Sequence, residues 1–205
     1  AQSTGTLIGD RHAGTLSNAG CFSFFPTKNL SALGDGGGIW VPTKQLKDKL
    51  LSLRQYGWDA NRNVKSHGGI NSRLDELQAA ILRIKLKKLN VEINKRRKIA
   101  KIYDLELNDT FKKTNGSDQQ KSSYHLYVVR TKQRKKLMAY MEKKGIILGI
   151  HYHPPNHQNG LLSKYSKGKL PVTEEASKEV ISLPIYPGLD KKLQLQIIKY
   201  LNKFK

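Results

Sequence analysis

The feature that most constrains the fold is an apolar run, Phe22–Phe25, that stops at Pro26 and is followed by a single lysine, Lys28. Ser23 interrupts the run, and such alternation is typical of a strand with two unlike faces. A glycine cluster at 34–38 and a second apolar run at 38–42 come next. The pattern predicts a strand, a tight loop that carries Lys28, and a second strand.

A lysine held between two core strands is partly removed from water, and desolvation disfavours its ammonium form. The neutral amine is a nucleophile that forms a Schiff base with an aldehyde cofactor such as pyridoxal phosphate. Ser23 lies on the strand face opposite Phe22 and Phe24, where its hydroxyl can hydrogen-bond a phosphate. On these residues alone two interpretations stay open, a lysine–phosphate site and a solvated turn lysine.

Composition indicates a globular chain with no membrane span. Its 205 residues are 38% hydrophobic, enough for one sizeable core or two smaller ones. No apolar run reaches membrane-spanning length, and the N-terminus lacks a signal-peptide pattern. The single cysteine, Cys21, cannot form an internal disulfide and is expected to be a small core residue. These features favour a cytoplasmic location.

The net charge of +21 raises the possibility of an anionic partner. The richest basic stretch, residues 83–98, also contains apolar residues at mostly helical spacing, which indicates the solvated face of an amphipathic helix. No zinc finger, recognition-helix pattern or aromatic platform accompanies the charge. We therefore expect no specific nucleic-acid partner.

The remaining elements follow from periodicity and from turn residues. Polar segments at 57–69, 108–121 and 153–169 are expected to be loops, with a turn at Asn115-Gly116. The expected helices and strands are a helix at 44–56, one long or kinked helix at 75–107, a strand at 124–130, a helix at 133–144 closed by Gly145, a strand at 146–152, and helices at 174–180 and 191–204.

Several blocks of the chain resemble the DegT/DnrJ/EryC1/StrS family of pyridoxal-phosphate-dependent aminotransferases of nucleotide-linked keto sugars. The blocks that carry the resemblance are Ala1-Gln2, Cys21–Leu30, Gly34–Gly37 and Gly69–Ala80. Their order and spacing match along nearly the whole chain.

The resemblance implies an α/β fold of the aspartate aminotransferase type, fold type I. The chain is expected to be its C-terminal part: residues 1–107 belong to the large cofactor domain and its long connecting helix, and residues 108–205 form a small C-terminal α+β domain. The phosphate loop, the ring-stacking aromatic residue and the aspartate of the pyridine nitrogen are expected to precede Ala1. A homodimer with composite active sites is also implied.

The same resemblance assigns roles to individual residues. Lys28 is implied as the Schiff-base lysine and proton carrier, where sugar dehydratases of the family have histidine. Gln2, Ser23 and Asn71 match cofactor contacts, and that of Asn71 is made across the dimer interface. Ser72 departs from the family's usual aromatic residue. Arg73 either binds an anionic substrate group or interacts with the next helix, by capping it or by pairing with its acidic residues at 75–76, and the sequence favours neither.

The block at residues 150–158 contains three of the six histidines. No cysteine or carboxylate accompanies them, so we expect substrate recognition here and no metal. His151 and Tyr152 resemble the substrate loop of members that aminate a sugar at its 3-position.

The sequence thus predicts an aminotransferase that transfers an amino group, with glutamate as the expected donor, to a nucleotide-linked keto-deoxysugar. The alternative is a non-catalytic remnant that serves as a binding or regulatory subunit.

Overall fold

The computed structural model describes residues 1–114 and 120–204, so the predicted Asn115-Gly116 turn lies outside the described residues. The chain divides into two compact units. Unit 1 consists of Ala1–Asn94 and Asp118–Ser123, and unit 2 consists of Lys95–Ser117 and Tyr124–Lys205. The assignment of residues 1–107 and 108–205 to a cofactor domain and a small domain stays a prediction.

The described residues of unit 1 form two small antiparallel sheets and two complete helices. In the first sheet β1 lies between β2 and β6, and in the second β3 pairs with β4. The element bounds are β1 Leu7–Ile8, β2 Arg11–His12, β3 Gly20–Ser23, β4 Gly37–Trp40, α1 Lys44–Leu53, α2 Glu76–Leu86 and β6 Gln120–Lys121. A 3-10 turn at Ala13–Thr15 precedes β3.

The helices of unit 1 confirm most of the predicted periodicity. Helix α1 begins after Thr43, whose hydroxyl accepts a hydrogen bond from Leu46 N. It ends before residue 56 because Tyr56 has a φ of +60°, which is incompatible with a right-handed helix. The predicted helix at 75–107 is two helices, since Lys88 N bonds the Lys85 carbonyl at 3.0 Å and so forms a tighter turn.

The core of unit 1 is small. Its buried members are Leu30, Ala32, Leu82, Leu89 and Ile93, with Phe24 and Leu74 packed against them.

The prediction that Cys21 is a core residue is wrong, because its side chain is exposed. Cys21 pairs across the ribbon with Ile39, which is 55% exposed. A two-stranded ribbon has two faces, and only the Phe24 face contacts this core.

In the part of unit 2 that the structure describes, an antiparallel sheet, in which β7 lies between β5 and β8, is combined with four helices. Helix α3, Leu89–Glu106, starts in unit 1 and continues in unit 2. The other bounds are β5 Lys112–Lys113, β7 Tyr127–Arg130, α4 Arg134–Glu142, α5 Pro171–Glu179, β8 Val180–Leu183 and α6 Lys191–Lys203. Gly145 follows α4 with a φ of +73°, as the helix-closing prediction requires.

The predicted strand at 146–152 is wrong. Only Gly149 pairs, through two backbone bonds of 3.1 and 2.8 Å with Ser182. Beyond it the chain leaves the sheet, because the His151 ring and the Tyr152 carbonyl contact the hydroxyls of Ser182 and Ser177. Strand β8 was not predicted, and it occupies the pairing edge of β7 instead. The segment at 153–169 contains 3-10 turns at Asn156–Gln158 and Gly160–Tyr165.

Several polar side chains in the core of unit 2 form hydrogen bonds. Tyr103 donates to the Pro184 carbonyl at 2.8 Å, and Gln194 Nε2 donates to the Ile99 carbonyl at 2.8 Å. Tyr127 donates to Asp104 at 2.6 Å. Burial, and then this bond to a carboxylate, raise the pKa of the Tyr127 hydroxyl well above its ordinary value. These bonds orient the rings within an otherwise apolar core.

No helix among residues 1–114 and 120–204 is both long and apolar enough to cross a membrane.

Leu137→Ala is expected to lower the free energy of unfolding by about 2–5 kcal/mol, because Leu137 is fully buried and its truncation leaves a cavity. Leu105→Ala is the matched control, since Leu105 lies in α3 and is 71% exposed. Urea unfolding monitored by circular dichroism measures both. Equal losses in the two variants would contradict the packing described for unit 2.

Candidate active site

The strand β3 places Ser23 on the uncovered face of the β3–β4 ribbon. Its cross-strand partner is Gly37, so no side chain stands opposite the Ser23 hydroxyl. Ser23 Oγ accepts a hydrogen bond from Phe25 N at 3.4 Å. Its hydroxyl proton has no acceptor within residues 1–114 and 120–204. Ser23 therefore presents a donor, which is what a phosphate oxygen requires.

Lys28 lies in a loop that backbone hydrogen bonds close at both ends. Phe24 N donates to the Gly36 carbonyl at 2.8 Å, and Ala32 N donates to the Phe24 carbonyl at 2.7 Å. Lys28 N donates to the Phe25 carbonyl at 2.9 Å, which closes a turn after Pro26. The residue is half-buried, and its Nζ has no hydrogen-bond or ion-pair partner in the described part of the chain. The predicted strand–loop–strand around Lys28 is confirmed.

The neighbouring residue, Asn29, ties this loop to a distant segment of unit 1. Its Nδ2 donates to the Ser123 carbonyl at 3.0 Å, across 94 residues of sequence. Ser123 is 1% exposed and exchanges two 3.0 Å hydrogen bonds with Thr6: its backbone N donates to Thr6 Oγ1, which donates to Ser123 Oγ. The buried Asn29 Oδ1 has no partner among the described residues. Sequence analysis missed this anchor, because no local sequence pattern predicts a contact between residues so far apart in the chain.

Asn71 and Arg73 lie together on an exposed loop that is fastened to the end of α1. Ser72 N donates to the Arg54 carbonyl at 3.0 Å, and Arg54 Nε donates to the Ser72 carbonyl at 3.1 Å. Arg73 Nε donates to Asn71 Oδ1 at 2.8 Å. Arg73 makes no ion pair with the acidic residues at 75–76. The guanidinium keeps further N–H groups with no partner among the described residues, and both alternatives for Arg73 stay predictions.

His151 and Tyr152 lie side by side in unit 2. The His151 Nδ1 atom is 2.9 Å from Ser182 Oγ, and the two rings meet edge to face with centroids 5.0 Å apart. Tyr152 is 60% exposed. The pair thus forms a surface that is both polar and aromatic, and its assignment to a substrate stays a prediction.

Gln2 lies in the exposed N-terminal segment, just before a turn in which Thr6 N donates to the Ser3 carbonyl at 2.8 Å. The other predicted residues lie in three segments: Ser23 and Lys28 follow one another along β3 and its loop, Asn71 contacts Arg73, and His151 contacts Tyr152. In the described part of the chain, no cluster of three or more histidine, cysteine, aspartate or glutamate side chains is placed to hold a metal ion.

Comparison with known proteins identifies the class. The family model described as the DegT/DnrJ/EryC1/StrS aminotransferase family matches residues 1–202. The chain belongs to this family.

Two curated relatives and one solved structure illustrate the match. A protein of Aneurinibacillus thermoaerophilus named as a dTDP-3-amino-3,6-dideoxy-alpha-D-galactopyranose transaminase is 37% identical over 100% of this chain and 56% of its own length. A pleiotropic regulatory protein of Geobacillus stearothermophilus is 34% identical, with the same two coverages. The crystal structure of a family aminotransferase from Brucella abortus superposes with a TM-score of 0.94 at 33% identity, over 98% of this chain and 54% of that one.

The resemblance seen in the sequence is confirmed, as is the expected mixed α/β fold of the aspartate aminotransferase type. The chain spans about half the length of the curated relatives that it matches.

Asn29→Ala and Asn29→Asp are expected to loosen the Lys28 loop, with aspartate the worse of the two. Alanine leaves the Ser123 carbonyl without its donor, at a cost of about 1–3 kcal/mol. Aspartate keeps the shape of asparagine but places a carboxylate oxygen against that carbonyl, which adds repulsion. Hydrogen exchange of the Lys28 and Ala32 amides measures the effect.

Asn18→Ala, at an exposed position of the same unit, is the control for the Asn29 variants. Exchange as slow in Asn29→Asp as in the unmodified protein would rule out the anchoring role of Asn29.

Proposed function

We propose that the protein is a pyridoxal-phosphate-dependent aminotransferase that acts on a nucleotide-linked keto sugar, with glutamate as amino donor. Membership of an aminotransferase family supports the reaction class. The observation that carries the proposal is Lys28: a closed loop holds its amine, and no described group neutralises or occupies it. An amine held in this way is free to attack an aldehyde.

The donor set in unit 1 fits this cofactor. The Lys28 amine suits an aldehyde carbon, and the unused Ser23 hydroxyl proton suits a phosphate oxygen. Asn71 Oδ1 already accepts from Arg73, so its amide N–H groups remain as donors for a phosphate. We assign the cofactor contacts to Lys28, Ser23, Asn71 and Gln2.

When bound, pyridoxal phosphate supplies the electron sink that stabilises negative charge on the reacting carbon. The residues of the chain then have separate tasks. Lys28 Nζ carries the proton to and from that carbon, which requires a backbone fixed near enough for the amine to reach it. The Asn29 anchor restricts the loop, so that the Lys28 backbone, from which the amine extends, stays in one place.

For the substrate we propose a nucleotide-linked 3-keto sugar. The Aneurinibacillus relative is named for a dTDP-linked 3-amino sugar, which supports this class. Arg73 is assigned to an anionic group of the substrate, and His151 and Tyr152 to the sugar. The exposed position of the Asn71 loop suits a contact across a homodimer interface, which is part of the proposal. So is a cytoplasmic location, where a single cysteine remains reduced.

A second candidate is a regulatory, non-catalytic role. The relative from Geobacillus stearothermophilus that is named a pleiotropic regulatory protein favours it. The two candidates differ in what they require of Lys28, because a regulatory subunit has no need of a nucleophilic amine.

The variant Lys28→Ala is tested in the protein as its gene encodes it. The change is expected to abolish the visible absorbance of bound pyridoxal phosphate and the covalent attachment of this cofactor to the protein by borohydride reduction. Lys47→Ala is the control, since Lys47 is an exposed lysine of α1. Peptide mass spectrometry locates the attachment site. Attachment to another lysine would overturn the assignment, and its absence from the unmodified protein would favour the regulatory candidate.

Nucleotide-sugar binding and nucleic-acid binding are expected to respond differently to salt. The charge of +21 gives weak, sequence-independent DNA binding that falls steeply between 50 and 200 mM salt, on the order of 10³-fold or more if several phosphates are contacted. A nucleotide sugar makes few ionic contacts, so its binding declines much less. Fluorescence titration at both salt concentrations measures this, and tight sequence-selective DNA binding at the higher one would refute the aminotransferase proposal.

A further inference from the structure

The hydroxyl of Ser177 lies between two groups of the histidine-rich segment. Ser177 Oγ is 3.0 Å from the Tyr152 carbonyl oxygen and 3.0 Å from His153 Nδ1. Ser177 lies on α5 and is 5% exposed, whereas His153 is exposed, so the hydroxyl is buried and the rest of the His153 ring remains accessible. One buried hydroxyl therefore holds both the backbone and the ring of adjacent residues.

A count of protons fixes the state of the His153 ring. A carbonyl oxygen only accepts, so the single hydroxyl proton of Ser177 is donated to Tyr152. Towards His153 the same oxygen has only lone pairs left, and Nδ1 must therefore carry the hydrogen. In a neutral imidazole the other nitrogen, Nε2, is then an acceptor. No described residue donates to it.

Arg134 fixes the position of Ser177 through its backbone carbonyl. Arg134 Nη1 donates to the Ser177 carbonyl at 2.6 Å and to the Val180 carbonyl at 3.3 Å. Arg134 is 9% exposed, and burial lowers the pKa of its guanidinium. This bond between a buried cation and a carbonyl sets the end of α5, and with it the direction from which the hydroxyl meets the ring.

The other two histidines of the segment are held differently. His157 Nε2 is 3.1 Å from Glu174 Oε1, a carboxylate oxygen, so Nε2 carries a hydrogen there and is used by the protein. Hydrogen bonds from Leu170 N and then from His157 lower the pKa of Glu174 and keep it ionised. His151 contacts Ser182, whose hydroxyl rotates to suit either tautomer. His153 is thus the one of the three that has both a set tautomer and an acceptor Nε2 with no partner among the described residues.

We propose that His153 is a specificity-determining residue whose Nε2 accepts a hydrogen bond from a hydroxyl group of the sugar, and that Ser177 is its positioning residue. A lone-pair acceptor favours a hydroxyl over a carboxylate or phosphate oxygen, which brings no proton. The choice of a sugar as ligand rests on the proposed function, because it relies on the assignment of His151 and Tyr152 to the sugar. The tautomer itself does not.

Nitrogen-15 NMR of histidine-labelled protein tests the tautomer without any ligand. At a pH where His153 is neutral, its Nδ1 is expected to give the protonated type of signal and its Nε2 the unprotonated type. His153→Gln removes the signals and so assigns them. Ser177→Ala is expected to shift the ring towards the Nε2–H tautomer, because the acceptor at Nδ1 is lost.

Ser163→Ala removes an exposed hydroxyl that bonds only the Gly160 carbonyl, and it should leave the His153 signals unchanged. An Nε2–H tautomer in the unmodified protein would overturn the proposal.

Calorimetric titration in a Lys28→Ala background tests the ligand, with dTDP-glucose as the probe and dTDP alone as its control. His153→Leu is expected to weaken dTDP-glucose binding by about 3- to 10-fold, the loss of one hydrogen bond, and to leave dTDP binding unchanged. His153→Gln, whose side-chain oxygen is an acceptor on a stem of similar reach, should restore part of the affinity.

The outcomes separate this inference from the proposed function. Unchanged dTDP-glucose affinity in His153→Leu would overturn the role of His153 alone. A protein that binds neither dTDP-glucose nor UDP-glucose would refute the proposed function and the assigned ligand together, even where the NMR result stands. A loss in His153→Leu that is equal for dTDP and dTDP-glucose would also count against a contact to the sugar.

Discussion

The backbone of Phe24 makes the two hydrogen bonds on which the Lys28 loop depends. Its N–H donates to the Gly36 carbonyl and its carbonyl accepts from Ala32 N, so one residue joins the end of β3 to two points on the returning part of the loop. The Phe24 ring packs on the small core of unit 1, which holds that residue in place. These contacts hold the backbone of Lys28 in one place, and a reactive amine needs a fixed point of attachment to reach its target.

The sequence predicted this loop well because its signals are local. A strand alternates every two residues, a proline stops it, and glycines allow the backbone to return closely: a Cβ at Gly36 would lie 3.0 Å from Leu74 Cδ1 and 3.4 Å from Phe24 Cβ. The Asn29 anchor could not be predicted in the same way, because its partner is 94 residues away. Likewise the exposure of Cys21 depends on which faces other elements cover, and hydrophobic alternation does not encode that.

The error at 146–152 has a different origin. The stretch contains β-branched and aromatic residues, so local propensity favoured a strand. Only one residue of it joins the sheet, Gly149, which pairs with Ser182 of the unpredicted strand β8, while β8 also pairs along all four residues of β7. After Gly149, hydrogen bonds with side-chain hydroxyls hold the chain in place of the backbone bonds of a neighbouring strand. Hydrogen bonds among histidines and serines fix the shape of this segment. They leave no repeating hydrophobic pattern in the sequence, so periodicity could not predict the structure here.

The two units therefore fix their candidate residues by different physical means. In unit 1 backbone hydrogen bonds close a loop, and Lys28 Nζ has no partner among the described residues. The Lys28 side chain can therefore move while its backbone is held in place. In unit 2 the side chains are themselves immobilised, since each histidine ring between 151 and 157 contacts a hydroxyl or a carboxylate. A group that must move a proton needs some freedom, whereas a group that must distinguish ligands gains from rigidity, because it loses less entropy on binding. This difference suits a transfer role for Lys28 and a recognition role for the histidine segment.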